Sequence, residues 1–69
     1  MEIRKAVLKA IATDGAIRRK SKVLRCRLIP TNTSDGIVVV FEEESRPSVK
    51  WWNPQADDLT ATDWEVIPR

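Results

Sequence analysis

The spacing of apolar and polar residues divides the chain into a helical segment followed by strands. Residues 2–13 carry apolar side chains at helical spacing with basic side chains between them, which predicts one amphipathic helix. Its predicted apolar stripe consists of Ile3, Val7, Leu8, Ala10 and Ile11. Gly15 is expected just past the end of this helix, at a position where φ is often positive. So short a helix is marginal alone, and we expect its stripe to pack on a sheet.

After Gly15 the spacing changes to that of β-strands. Residues 16–19 are interpreted as a short strand or connector, and residues 22–29 alternate as a strand does. We expect the apolar side chains of this second strand to point inward and its arginines to point outward. The inward set is Leu24, Cys26 and Leu28, and the outward set is Arg25 and Arg27.

The strongest strand signal lies at residues 37–43, where a β-branched run follows a loop ending in Asp35 and Gly36. Because its apolar run is unbroken, we expect burial on both faces, at a central position or at a subunit contact. Residues 48–52 predict the next strand, and residues 64–67 predict a terminal strand. The pattern as a whole predicts an α+β fold, with the N-terminal helix packed on a small antiparallel sheet of three to five strands.

A dense segment at residues 51–66 holds all the tryptophans. Asn53 is expected to cap a short helical turn that begins at Pro54 and runs through Leu59. Leu59 and Trp64 are interpreted as core residues, because alternating residues flank the tryptophan and an indole contributes a large buried area.

Trp51 and Trp52 are adjacent in a predicted strand, so they should point to opposite faces of the sheet. We expect one of them to be buried. The other is then exposed, lies at a subunit interface, or stacks on a base or another flat ligand.

Length bounds the architecture to one domain, residues 1–69, near the lower limit for a self-sufficient core. A homo-oligomer, dimer or tetramer, is therefore expected. The longest apolar run, residues 37–41, is far below the ~20 residues of a transmembrane helix, and no signal peptide is visible. The single cysteine, Cys26, predicts a reduced, cytoplasmic chain with a buried thiol. We expect no membrane partner and no cofactor.

The charge is unevenly distributed although the net charge is only +2. Residues 1–30 contain nine basic and two acidic residues, a charge of +7, whereas residues 31–69 contain three basic and eight acidic residues, a charge of −5. This asymmetry suits a phosphate-bearing ligand, or subunits that pack a basic half against an acidic half. The alternative is a set of solvated strand and helix faces.

Most hydrolytic chemistry is excluded by composition. With no histidine and one cysteine, a single chain cannot build a zinc site or a histidine-assisted nucleophile. Asp57, Asp58 and Asp63 are the remaining candidates, since paired carboxylates do acid–base work when their pKa values differ. Adjacent carboxylates in a turn more often cap N–H groups and face water. We therefore expect a protein that is not an enzyme.

The basic run at residues 18–22 is the first candidate for binding an anion. Arginine clamps a phosphate with two parallel N–H bonds, and lysine contributes a point charge. The alternative is a solvated edge strand whose charges prevent aggregation. Nucleic acid is a weaker expectation, because no aromatic residue lies among these basic residues.

The spacing of residues 52–66, from Trp-Asn-Pro through Asp-Asp-Leu to Asp-Trp-Glu-Val, resembles the closing signature of a family of small phage and prophage proteins, the Thoeris anti-defence sponge domains. The N-terminal half is similar as well, with a helix, a glycine and an Arg/Lys-rich strand at Ala6–Ala10, Gly15 and Ile17–Ser21.

The resemblance implies a compact α+β homo-oligomer with ligand pockets where subunits meet. It also implies binding, without chemical change, of cyclic ADP-ribose isomers or cyclic oligonucleotides in the cytoplasm of an infected bacterium. Some relatives are instead associated with inhibition of CRISPR effectors. Lys22 stands where the family usually has a tryptophan. The positions that match the family are Arg19, Asn53, Asp57 or Asp58, Asp63 and Trp64. Adding the basic run and the adjacent tryptophans, we expect the ligand-binding residues to be Arg19, Lys20, Lys22, Trp52, Asn53 and Asp63.

The leading hypothesis is a non-catalytic protein that sequesters a small anionic nucleotide signal. Arg19 would hold a phosphate, Asn53 would bond to a base edge, and Asp63 would accept from a ribose hydroxyl or orient Arg19. The alternatives are an interaction protein that binds a host protein or nucleic acid directly, and a purely structural oligomeric component.

Overall fold

The seven secondary-structure elements form one helix-covered sheet. A computed structural model of the chain describes residues 1–21, 26–41 and 48–69, with the backbone alone at 48–50. The elements are α1 (Ile3–Thr13), β1 (Ala16–Arg19), β2 (Cys26–Pro30), β3 (Ile37–Phe41), β4 (Ser48–Trp51), α2 (Ala56–Thr60) and β5 (Trp64–Ile67). The strands pair antiparallel in the order β4-β3-β2-β1-β5. The predicted α+β fold is confirmed, and the sheet has five strands.

The crossing from β4 to β5 decides which distant residues meet. The chain leaves the β4 edge of the sheet, forms α2, and returns at the opposite edge beside β1. Arg18 therefore faces Glu65, and Arg19 faces Trp64. The most basic strand and an acidic segment from the other end of the sequence become neighbours.

The core lies between α1 and one face of the sheet. Ile17 pairs with Leu28, which in turn pairs with Val39, so apolar side chains of three strands share this face. The helix contributes two fully buried alanines, which lack the length to hold it away from the sheet. The buried cluster consists of Ala6, Ala10, Ile17, Leu28, Val39 and Trp64.

The apolar stripe of α1 differs from the predicted one. Ala6 is fully buried beside the partly buried Ile3 and Val7, whereas Leu8 is 54% exposed. The stripe follows positions 3, 6, 7 and 10, and Leu8 lies about 100° of rotation beyond Val7. Placing Leu8 in the stripe was wrong, because an alanine and not the larger leucine faces the sheet.

The helix ends where predicted, with Gly15 directly after the C-cap Asp14, but the positive φ falls on a different residue. The residue with left-handed backbone geometry is Asp14, with φ 52°, and not Gly15. Gly15 is required for space instead, because a Cβ there would lie 3.0 Å from the Ile67 carbonyl oxygen and 3.0 Å from the Val66 side chain. The close approach of helix end and β5 explains the glycine.

Strand β3 is central, between β2 and β4, but it is not buried on both faces. Val39 is buried on the helix side, while Val38 and Val40 on the other side are half-exposed. Neither described helix covers that side. The turn at Asp35-Gly36 is confirmed, with Gly36 at φ 65°.

The short helix α2 begins later than predicted and exposes a residue expected in the core. Gln55, and not Asn53, is its N-cap, and the Gln55 backbone N–H donates to Asp58 Oδ2 at 3.0 Å. Leu59 is 52% exposed, so its assignment to the core was wrong. The helix turns Asp58, and not Leu59, toward the sheet.

An apolar row remains uncovered on the far side of the sheet. Trp51 pairs with Val38, and Val38 pairs with Ile29. Trp51 is 76% exposed and the other two are half-buried. Ile67 of β5 lies on the same side. We call this surface, defined by Ile29, Val38, Trp51 and Ile67, the open face.

Several sequence predictions fall on residues 22–25 and 42–47, outside the described ranges: the orientations of Leu24 and Arg25, the position of Lys22, and the end of the third strand. Within the described ranges, neither helix has the length and apolar character needed to cross a bilayer.

The contrast between Ile17 and Leu59 gives a direct test of the core. Ile17 is fully buried, so Ile17→Ala should lower the free energy of unfolding by about 2–5 kcal/mol. Leu59→Ala, at a half-exposed position, should change it by less than about 0.5 kcal/mol. Urea unfolding followed by tryptophan fluorescence measures both values. Equal losses from the two variants would contradict this core assignment.

Candidate functional site

A single guanidinium joins three carboxylates at the end of β1. Arg19 Nε donates to Asp63 Oδ1 at 2.8 Å, and Nη1 lies 3.3 Å from Asp58 Oδ1 and 3.4 Å from Asp57 Oδ2. The other oxygen of Asp63 accepts the Ser21 backbone N–H at 2.9 Å. We call Arg19, Asp57, Asp58 and Asp63 the arginine cluster. It ties β1 to α2 and to the turn before β5.

The cluster is partly shielded from water, which strengthens its electrostatics. The Arg19 side chain is 14% exposed. Hydrogen bonds from Ser21 and then from Arg19 hold the pKa of Asp63 well below its usual range. The hydrogen bond to Asp63 is also the main cause that raises the pKa of Arg19. Both groups are therefore firmly charged at neutral pH.

Asp58 holds α2 in place through its side chain and its backbone. Its carboxylate caps the helix at Gln55 and faces Arg19, while its carbonyl oxygen accepts Trp64 Nε1–H at 2.9 Å. That bond satisfies the indole N–H of a tryptophan that is only 2% exposed. The α2 backbone is thus fixed over the aromatic core.

Beside the arginine cluster lies a pocket of about 290 Å³. Its apolar floor comes from β1, β2 and β3 on the helix-covered face of the sheet. The floor residues are Ile17, Cys26, Leu28, Val39 and Phe41. Burial raises the pKa of the Cys26 thiol, so at neutral pH this group lines the pocket as a neutral, weakly polar side chain.

Three tryptophans line the pocket. Trp52 is half-buried and meets Trp64 edge to face, with ring centroids 5.8 Å apart and an interplanar angle of 84°. Trp51 is the exposed member of the adjacent pair, as alternation in a strand requires. The expectation that the two side chains point to opposite faces is confirmed: Trp51 is exposed, and Trp52 lies on the core side, where it is half-buried and not fully buried.

The polar part of the lining comes from Arg18, Arg19, Asn53 and Asp58. Both arginines already have carboxylate partners, since Arg18 Nε donates to Glu65 Oε1 at 2.6 Å. Asn53 is exposed at the rim, where its carboxamide offers a donor and an acceptor. The pocket combines flat aromatic walls with a few polar groups, as small-molecule sites do.

The structure brings together most of the residues singled out from the sequence. Arg19, Trp52 and Asn53 line the same pocket, and Asp63 orients Arg19 from behind it. Lys20 is exposed in the turn after β1, outside the pocket lining. Lys22 lies outside the described residues. The roles of these residues toward a ligand remain predictions.

The ligand-binding residues expected from the sequence included neither Asp58, which was considered as an acid–base candidate and as a match to the family, nor the apolar floor. The spacing of Gln55 and Asp58 matches a capping box and was the available signal for the start of α2. Nothing in the sequence indicates that Cys26 and Phe41 line a pocket, because each has the pattern of an ordinary inward-facing strand residue.

One comparison with known proteins gives a match. The Thoeris anti-defense 2-like domain matches residues 1–67. No curated protein and no solved structure matches the chain.

The arginine cluster predicts a loss of stability on acidification. Because the folded pKa of Asp63 lies below its unfolded value near 3.9, its contribution is complete above about pH 4 and disappears as the pH falls toward the folded pKa. Asp63→Asn should therefore lower the melting temperature at pH 7, and its difference from the parent chain should shrink below about pH 4.

Thermal unfolding between neutral and acidic pH measures this dependence, and Asp35→Asn in the exposed loop before β3 is the matched control. A difference between Asp63→Asn and the parent chain that stays constant with pH would contradict the assignment.

Proposed function

Since the chain belongs to the Thoeris anti-defense 2-like family, we propose that it binds a cyclic nucleotide immune signal in its tryptophan-lined pocket and holds it without cleaving it. Membership of the family supports a phage anti-defence role. The signal would be a cyclic ADP-ribose isomer or a cyclic oligonucleotide, removed from the host defence by sequestration. The cytoplasm of the infected bacterium is the compartment in which this would occur.

The observation that carries the proposal is the composition of the pocket. The half-buried Trp52 supplies flat apolar surface, and Asn53 at the rim can bond in two directions to the edge of a base. Aromatic side chains are sequence-tolerant platforms for bases, since every base has a π-face. A cavity of about 290 Å³ suits part of a nucleotide ligand.

Binding without cleavage is supported by the protonation states of two groups, one in the pocket lining and one beside it. The Cys26 thiol has a raised pKa, and nucleophilic attack requires the thiolate. Asp63 is held charged by hydrogen bonds from Arg19 and Ser21, so it is a poor proton donor or acceptor near neutral pH. The chain contains no histidine that could donate or accept a proton in its place.

Direct binding of nucleic acid has less support. Such binding relies on lysine and arginine side chains that can neutralise phosphates. Arg18 and Arg19, the two arginines of β1, are already paired with Glu65 and with the carboxylates of the arginine cluster.

We further propose that the open face joins copies of the chain into a homo-oligomer. The open face presents an apolar row whose Trp51 is 76% exposed, and exposed apolar patches mark sites of protein–protein contact. Trp51 is also among the residues that line the pocket, at the β4 edge of the sheet.

The role of Asn53 is tested by titration calorimetry against a panel of cyclic ADP-ribose isomers and cyclic oligonucleotides. We expect one of them to bind, and Asn53→Ala to weaken it by about tenfold, the equivalent of a lost hydrogen bond or two. Asn32→Ala is the matched control, since Asn32 is an exposed amide in the β2–β3 loop.

The bound compound should be recovered unaltered when the complex is denatured. Absence of heat from every compound, with the protein folded, would refute the proposed function. If the Asn53 and Asn32 variants lose affinity equally, Asn53 does not contact the ligand.

The open face is tested by Trp51→Ser against Leu59→Ser. Both residues are large, apolar and more than half exposed, but only Trp51 belongs to the open face. We expect Trp51→Ser to shift the mass measured by light scattering toward the monomer by at least tenfold in dissociation constant. Leu59→Ser should leave the assembly unchanged. Dissociation by Leu59→Ser alone would place the interface elsewhere.

A further inference from the structure

We propose that two copies of the chain join along the outer edge of β4, with Trp51 of one copy paired antiparallel to Trp51 of the other. The two five-stranded sheets then form one continuous sheet. The inference rests on the proposed homo-oligomer and deepens it, because it names the strand and the register through which the copies meet.

The first step is the position of β4 in the sheet. In the order β4-β3-β2-β1-β5, β4 lies at one end and has β3 as its single neighbour among the described strands. A strand in this position presents a row of backbone N–H and C=O groups with which another strand can pair. Because an antiparallel edge is complementary to itself, a second copy of the chain fits it about a two-fold axis.

The second step identifies which backbone groups of β4 face outward. Trp52 N–H donates to the Ile37 carbonyl oxygen at 3.0 Å, so the backbone groups of Trp52 point toward β3. In an antiparallel strand, successive residues direct their N–H and C=O groups to alternate sides. Trp51 and Val49 therefore direct theirs away from β3, toward the outer edge.

The third step selects the register. Outward groups meet outward groups when the two-fold axis lies at Val49, Lys50 or Trp51. An axis at Lys50 sets two like charges directly opposite each other, which is destabilising. An axis at Val49 sets Trp51 opposite Pro47, which has no N–H to donate. An axis at Trp51 pairs two aromatic residues, which is favourable, and sets Val49 opposite Asn53.

The fourth step is the exposure of the Trp51 side chain. It is 76% exposed and lies on the open face, at the same edge of the sheet. In the selected register the two indoles are direct cross-strand neighbours, so each covers apolar surface of the other. The open face of one copy then continues into that of the other, and one residue supplies both the backbone pairing and the apolar contact.

Amide hydrogen exchange, followed by NMR, tests the pairing by comparing two adjacent residues. Trp52 N–H is bonded within the chain and should be protected whenever the chain is folded. Trp51 N–H points outward, so its protection requires the second copy. In the oligomer we expect the two amides to exchange at rates within about tenfold of each other. In a folded monomer Trp51 should exchange more than about tenfold faster than Trp52.

Val49→Pro supplies that monomer. Proline removes an N–H that points away from β3, so the pairing of β4 with β3 loses no hydrogen bond. Val49→Thr keeps the N–H and a β-branched side chain and is the matched control. We expect Val49→Pro to raise the dissociation constant, measured by light scattering, at least about tenfold, because the edge loses hydrogen bonds in both copies. Val49→Thr should leave it unchanged.

The possible failures are distinguishable. An oligomer in which Trp51 exchanges more than about tenfold faster than Trp52 overturns the edge pairing and leaves the proposed homo-oligomer standing. Equal dissociation constants for folded Val49→Pro and Val49→Thr do the same. If Val49→Pro does not fold, the exchange rates of the parent chain decide alone. A chain that is monomeric at every concentration overturns both proposals, and calorimetry with cyclic nucleotides tests the pocket separately.

Discussion

The structure depends on the position of one guanidinium. Arg19 bridges residues that are 38 to 44 positions away in sequence, and it does so at the junction of β1, α2 and β5. Without it, the carboxylates of Asp57, Asp58 and Asp63 would repel one another at the point where the chain returns to the sheet. The same carboxylates position α2, and α2 positions Trp64 through the Asp58 carbonyl. The pairing of Arg19 with these carboxylates therefore determines where α2 and Trp64 lie beside the pocket.

That constraint also changes the meaning of the charge asymmetry. A basic N-terminal half and an acidic C-terminal half suggest an anionic ligand or oppositely charged subunits. In the folded chain, β1 lies directly beside β5, and part of the asymmetry is satisfied internally through Arg18 with Glu65 and Arg19 with Asp63. What is left for a ligand is mainly aromatic and apolar surface, with one rim amide. If a nucleotide binds here as proposed, this surface would discriminate by the shape and edge of its base.

Local patterns predicted the fold well because they depend on neighbours in sequence. The β-branched run at Ile37–Phe41 and the helical spacing at Ile3–Thr13 each predict their element directly. The predictions that were wrong concern positions whose environment depends on residues distant in sequence. Whether Leu59 is buried depends on the orientation of α2, which Asp58 sets through Arg19 from across the sheet. Gly15 closes the helix through its backbone N–H to Ala10, but the approach of β5 is what leaves no room for a side chain there. The members of the site were found largely through the family resemblance, whereas the pairing that occupies Arg19 required the fold.

The central claim is that the chain holds an intact nucleotide signal. Native mass spectrometry of the protein mixed with nucleotide extract from bacteria with an active Thoeris defence tests it most directly, since one spectrum gives the subunit number and the mass of any bound compound. The account predicts an oligomer carrying an added mass equal to that of an intact cyclic nucleotide, released unchanged on activation. An oligomer that passes through the extract with no added mass, or with the mass of a cleaved product, would contradict it.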